Sequence, residues 1–190
     1  THTTAGLVGS FLAKFNPSGA LDWIVTGTGS DFVYFSGIAI DELSNIYLIA
    51  TTSSSVLSVG SMTVNAGAQH NFLCRINKNG SVDRMNDFVK GPLAYSPELR
   101  YNKGSLFMHS TFGVMGTVVI GTNSYVPVGN TDLLVARFDT LGNPLWSHAY
   151  GGIKQELASG IAINPANEVF ICGKMDSPIL VMGTTTLTTT

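Results

Sequence analysis

Three basic residues, Lys14, Arg75 and Arg137, stand at one position in three similar segments, at a nearly constant spacing. A cation repeated at a fixed period could line up a row of anion-binding groups for a glycan or an acidic ligand. The same residues alternate with apolar neighbours such as Ala13 and Phe15, so each could also pair with Asn16, Asp139 or the Asp41 of a neighbouring segment. A half-buried charge must be paired, and pairing within the fold is the role expected here. Trp23 and Trp146 also occupy one repeated position; they are expected to pack between elements, with a sugar platform as the alternative.

No other residues converge on a reaction. His2, His70, His109 and His148 have four different settings and no metal-ligand spacing, which places them in loops or at strand edges. The carboxylates Asp31, Asp41, Glu42, Asp132, Asp139 and Asp176 read as turn residues, without the Asp-rich glycine loop of a calcium site. Cys74 and Cys172 lie in apolar runs far apart in the chain and read as small buried hydrophobes. Gly27-Thr28-Gly29-Ser30 and Gly151-Gly152 precede no helix pattern, so they are not phosphate loops. There is no Gly-x-Ser-x-Gly elbow, and Asn79-Gly80-Ser81, formally a glycosylation sequon, is explained as a hairpin tip. The expectation is therefore a non-enzyme with no catalytic, cofactor-binding or metal positions and no cofactor.

The elements that carry these residues are short strands. Phe11-Leu12-Ala13-Lys14-Phe15-Asn16 with Gly19 returns as Phe72-Leu73-Cys74-Arg75-Ile76-Asn77 with Gly80, and as Leu133-Leu134-Val135-Ala136-Arg137-Phe138-Asp139 with Gly142. Those glycines close tight turns, where a positive φ is cheap only for glycine. Leu21-Asp22-Trp23-Ile24-Val25 follows the first turn and Pro144-Leu145-Trp146-Ser147 the third. Gly37-Ile38-Ala39-Ile40-Asp41 recurs as Gly160-Ile161-Ala162-Ile163-Asn164, and Asn45 to Ala50 as Glu168 to Gly173. Short segments rich in Ile, Val, Phe and Tyr between turns, with no helical stripe, predict an all-β fold of four-stranded antiparallel units. Repetition at a fixed period, about 61 residues, implies that stacking of units buries the apolar faces. Ile38, Ile40, Tyr47, Phe15, Ile161, Ile163 and Phe170 are the expected core between units.

The divisions expected are 1–61, 62–123 and 124–190, in one array. The second is degenerate: Glu98-Leu99-Arg100-Tyr101-Asn102 lacks the Gly-Ile-Ala-Ile pattern and Arg84 replaces the tryptophan, so that unit should be the most distorted. Inserts at 52–71, 112–132 and 175–190 carry Gly60, Gly121 and Gly183 between alternating apolar residues, and read as an added hairpin or arm at a sheet edge.

These motifs resemble the bacterial SBBP-type β-propeller repeat: an apolar strand with a Lys or Arg before an Asn/Asp-Pro-x-Gly turn, a Leu-Trp, a Gly-Gly loop, then Gly-Ile-Ala-Asp/Asn and Asn-x-Tyr/Phe before a Gly or Ala. Lys14 to Trp23, Gly37 to Tyr47, Gly151-Gly152 and Gly160 to Asn164 carry the resemblance. It implies propeller blades in a secreted or surface-exposed bacterial protein, and it carries no catalytic residue.

Only 12% of the residues are charged and 44% are hydrophobic, with a net charge of −2. That charged share is about half the usual one, so either Ser, Thr, Asn and Gly carry the surface or part of it is covered by other copies. There is no basic cluster for nucleic acid and no apolar run long enough to span a membrane. A chain opening at Thr1 reads as processed or excised. Its first and last residues fall at one phase of the repeat, leaving half a unit at each end. Thr1, Thr3 and Thr4, and the threonines of 184–190, read as β-forming arms. The function expected is a self-assembling structural protein, as a surface filament, layer or adhesin stalk; the alternative is a protein- or glycan-binding module cut from a larger secreted propeller.

Overall fold

In the computed structural model the described residues are 9–67, 69–113 and 115–189. His2, Thr1, Thr3, Thr4 and Thr190 lie outside them. Every regular element among the described residues is a β-strand, and the chain divides into two compact units, Thr1–Asp87 and Phe88–Thr190.

The first unit holds β1 (Ser10–Phe15), β2 (Leu21–Gly29), β3 (Val33–Ile40), β4 (Ile46–Thr52), β5 (Val56–Val59), β6 (Met62–Asn65) and β7 (His70–Ile76). Strand β8 (Val82–Lys90) crosses the boundary. One sheet runs β1-β2-β5-β6, and the next takes β3-β4-β7-β8 in order. The second unit holds β9 (Ala94–Asn102), β10 (Ser105–Gly113), β11 (Val118–Ile120), β12 (Asn123–Tyr125), β13 (Thr131–Asp139), β14 (Pro144–Tyr150), β15 (Glu156–Ile163), β16 (Val169–Met175), β17 (Ile179–Met182) and β18 (Thr185–Thr188). Its four-stranded sheet runs β14-β13-β10-β9, and β15 pairs with β16. All the sheet pairings are antiparallel.

Local chemistry explains the hairpins. At five of them an Asn or Asp side chain accepts two backbone N–H groups, from the residues two and four further on. Asn16 accepts from Ser18 and Ala20, Asp41 from Leu43 and Asn45, and Asn77 from Asn79 and Ser81. Asp139 accepts from Leu141 and Asn143, and Asn164 from Ala166 and Glu168. Such a side chain mimics a backbone turn and fixes the loop. Gly19, Gly80 and Gly142 close three of these turns at φ of +83°, +86° and +88°.

The inserts are hairpins, each with a two-residue loop opened by Gly60, Gly121 or Gly183 at positive φ, as the II′ turn requires. They do not stay beside their neighbours in sequence. β5 leaves β4 and β7 to extend β2, pairing Gly27 with Val59 and Gly29 with Leu57. β11 likewise meets the end of β8 at Val119 and Lys90, and β17 lies against β14. The first insert thus widens the β1–β2 sheet, whereas β17 and β18 pair only with each other among the described residues.

The first core gathers Val25, Val33, Leu48, Leu57, Val59 and Ile76. In the second unit every residue of β10 is buried, and the rings of Phe88 and Phe138 meet at 5.1 Å. The degenerate segment is the most distorted of the three: between His109 and Thr111 of β10 the partner runs from Glu98 to Ala94, which leaves two extra residues on β9, with Tyr95 at a φ of +55°, where β3 and β15 each carry one extra residue against β4 and β16. Register depends on backbone pairing and on which face is buried, and Leu99 still fills the core position.

Part of the expected core is open. Tyr47 and Ile161 are buried, but Phe15, Ile38, Ile40 and Phe170 are exposed, and Ile163 is half-buried. The reason is a difference in neighbours. Outside its own hairpin β15 packs on β9, β10 and β13, whereas β3 packs mainly on β1 and β2.

Candidate interaction surface

Lys14 lies in β1, whose pairing with β2 skips a residue: Lys14 faces Trp23 and Phe15 faces Leu21, leaving Asp22 as the extra residue. A bulge of this kind re-aims its side chain, and Asp22 meets the Lys14 ammonium at 3.0 Å. Arg75 Nη2 lies 3.5 Å from Asp83, while its buried Nε makes no hydrogen bond. At the third position the counterpart of Asp22 is Leu145, and Arg137 turns instead to β10. Its Nε and Nη2 donate to Ser105 Oγ at 3.2 and 2.9 Å, and its guanidinium lies 5.3 Å from the Phe107 ring centre. The three cations are thus engaged within their own sheets.

Trp23 covers the β7–β8 turn: its Nε1 donates to the Lys78 carbonyl at 3.1 Å, and a Cβ on Gly80 would sit 2.9 Å from the indole. Trp146 covers no such turn among the described residues. It begins a row on β14, with His148 at 5.8 Å and Tyr150 a further 6.1 Å along.

The open face of the first unit is a groove of about 510 Å³ lined by Leu12, Lys14, Phe15, Trp23, Ile38 and Ile40. Above it β1 pairs with β2 alone among the described residues, which leave its other edge unfilled. In the second unit β16 pairs only with β15 among the described residues, and Phe170 is 59% exposed. A smaller cavity of about 270 Å³ lies between β16 and the β17–β18 hairpin, lined by Leu157, Ile171, Cys172, Leu180 and Met182 with Glu156 at its edge.

Several placements differ from those expected. Cys74 is buried, and burial pushes its thiol up to about 12; Cys172 is exposed on β16, where no strand covers it. His109 is buried in mid-strand rather than at an edge, with Nε2 3.6 Å from Glu98 and neither ring nitrogen hydrogen-bonded. Burial lowers its pKa, partly offset by Glu98. His70 lies on β7 beside Asp87 at 2.9 Å.

Asp132 is a buried strand residue, not a turn residue. It accepts the N–H groups of Val128 and Gly129, and its pKa is raised by burial and by nearby Glu156. Glu156 accepts the N–H groups of Gly152 and Ser177. These buried carboxylates hold the Gly151-Gly152 loop. At the turns, burial alone would raise Asp41 and Asp139. Hydrogen bonds from Asn45 and Asn143 outweigh it and hold both below the usual carboxylate value.

Sequence reasoning missed the buried serines. Ser54 Oγ accepts from Asp31 N–H at 2.7 Å and Ser177 Oγ from Lys154 N–H at 2.9 Å. Gly29 and Gly152 lie so close to these hydroxyls that a Cβ would clash. Gly29 precedes Ser54 by the same stretch of chain as Gly152 precedes Ser177, and that recurrence was the available signal.

Among the described residues no group of three or more His, Cys, Asp or Glu side chains could hold a metal. No helix there is long and apolar enough to cross a membrane. Residues 55–84 are similar to a domain of unknown function (DUF5122) described as a β-propeller. The stretch runs from the β5–β6 hairpin through β7 into β8. It supports a β-propeller repeat family, without reaching the SBBP type in particular. No curated protein matches the chain significantly.

Proposed function

We propose that this is a non-enzymatic extracellular structural protein that assembles through unfilled strand edges, as a surface filament, layer or adhesin stalk. In this reading the sheets are propeller-type blades of the SBBP kind, recurring at the period of the basic triplet. One observation carries it. Ile161 of β15 is 7% exposed against a four-stranded sheet, while its counterpart Ile38, on the same motif in β3, is 44% exposed over an open groove. An apolar face beside an unpaired strand edge is a template for another strand. The low charge and Ser/Thr/Asn-rich polar surface favour an extracellular setting. A structural role is favoured because Asp132 and Glu156 are occupied by backbone donors.

Sedimentation of the 190-residue chain tests this. A mass that climbs with concentration above 20.1 kDa is expected; a single monomeric species across the micromolar range refutes self-assembly. The second reading, a glycan- or protein-binding module, is favoured by the ring row of Trp146, His148 and Tyr150. Its mark would be quenching of tryptophan fluorescence by soluble glycans in a chain that stays monomeric.

A further inference from the structure

Resting on the self-assembly reading, we propose that the partner is a second copy docked head to tail in one register. β16 of one copy adds to the free edge of β1 of the next, with Val169 facing Phe15, Phe170 facing Lys14 and Cys172 facing Leu12. Trp146 of the first copy then covers the β1–β2 turn of the second.

The register comes from two interfaces already formed. β4 pairs with β7 through Ile46–Ile76, Tyr47–Arg75 and Ile49–Leu73. β10 pairs with β13 through Leu106–Phe138, Phe107–Arg137 and His109–Val135. An aromatic residue faces a cation at the same point of each. Val169-Phe170-Ile171-Cys172 repeats Ile46-Tyr47-Leu48-Ile49 two periods later, and Leu12 to Phe15 anticipates Leu73 to Ile76 by one period. Phe170 and Lys14 are therefore the two halves of a third aromatic–cation pair. Each lies on a strand that is paired on one side only among the described residues, Lys14 with Trp23 and Phe170 with Ala162.

The turn contact is independent of the strand edges. Gly80, under Trp23, has its counterpart in Gly19, around which a Cβ would meet nothing within 4 Å. Trp146, the counterpart of Trp23, is half-buried, and its Nε1 has no acceptor among the described residues. Placing Gly19 of the next copy under Trp146 brings the Pro17 carbonyl to the place that Lys78 holds against Trp23. The same arrangement lays β15 and β16 into the groove over Ile38 and Ile40. Both halves of the interface are carried by this one sequence, which is why the occupant proposed is a second copy.

The test is cross-linking. Leu12→Cys puts a thiol opposite the native Cys172, whereas Ala13→Cys puts one opposite Ile171. Under mild diamide oxidation, Leu12→Cys should form linked dimers and larger multiples about ten times faster than Ala13→Cys, because the register holds the two thiols together. Lys14→Cys with Phe170→Cys in a Cys172→Ser chain repeats the measurement at two exposed positions, and should link equally. An intramolecular link on a non-reducing gel would overturn the second copy as occupant. Association without preference between positions 12 and 13 would overturn this register and leave self-assembly standing. A chain that remains monomeric would overturn both.

Discussion

Strands β4 and β16 are nearly one sequence written twice, yet they end in opposite surroundings. Ile46-Tyr47-Leu48-Ile49-Ala50 is buried throughout, while in Val169-Phe170-Ile171-Cys172-Gly173 none is buried and Phe170, Cys172 and Gly173 are exposed. Tyr47 is 2% exposed and Phe170 59%. β4 has a paired neighbour on each side, and β16 on one. The preceding strand shows the inverse: Ile161 of β15 is covered and Ile38 of β3 is open. Burial in this protein is decided by which strands arrive next to a segment, more than by the segment itself.

The widest gap should appear on truncating the paired positions Leu48 and Ile171. Leu48→Ala empties a packed site and should cost about 2–5 kcal/mol, within the usual range for a buried Leu. Ile171→Ala, on the half-covered strand, should cost less than about 1.5 kcal/mol, because less surface returns to water. Urea denaturation at concentrations that keep the chain monomeric measures both. Equal losses would break the comparison. A cost for Ile171→Ala that grows with protein concentration would sharpen it, since association would then be covering β16.

Acidification should separate the two units. His109 is buried beside Glu98 and Arg100, with burial lowering its pKa below the ordinary 6.5. The unfolded chain therefore takes up the proton at higher pH than the folded one. Stability conferred by neutral His109 is present above that ordinary value and is lost as pH falls through the interval down to the folded value. The second unit should melt at lower temperature at pH 5 than at pH 7. His109→Leu, which has no proton to bind, should flatten that dependence. An unchanged slope in the variant would remove His109 as its source.

What could be read from the residues, and what could not, follows the same physics. Hairpin tips were legible because one Asn or Asp and one Gly decide them: Asn16 with Gly19, Asn77 with Gly80, Asp139 with Gly142. The insert hairpins were legible at Gly60, Gly121 and Gly183. Their attachment to the preceding sheet was not, because the pairing of β5 with β2 joins residues far apart in the chain. The exposure of Phe15, Ile38, Ile40 and Phe170 was hidden for the same reason. Glu156 occupies the place of Val33 in the repeat and is buried like it. A carboxylate there is invisible as a core residue until Gly152 and Ser177 are seen donating to it.

The smallest effect expected lies in the basic triplet, where one repeated position meets two kinds of environment. Lys14 and Asp22 form an ion pair whose side chains are 46% and 33% exposed, and pairs of that sort contribute about 0–1 kcal/mol. Arg137 holds the hydroxyl of Ser105, a buried residue, and lies over Phe107; removing it should cost about 1–3 kcal/mol from the stranded hydroxyl and the lost ring contact. Thermal melts of Lys14→Met and Arg137→Met on monomeric protein measure the difference. The loss in Lys14→Met should shrink when the salt is raised to about 1 M, where the screening length falls to about 3 Å. That in Arg137→Met should persist, because short hydrogen bonds and a sheltered ring contact are little screened. Equal losses in both variants, with the same response to salt, would mean that repetition of the residue type outweighs its surroundings at this position, contrary to what β4 and β16 show.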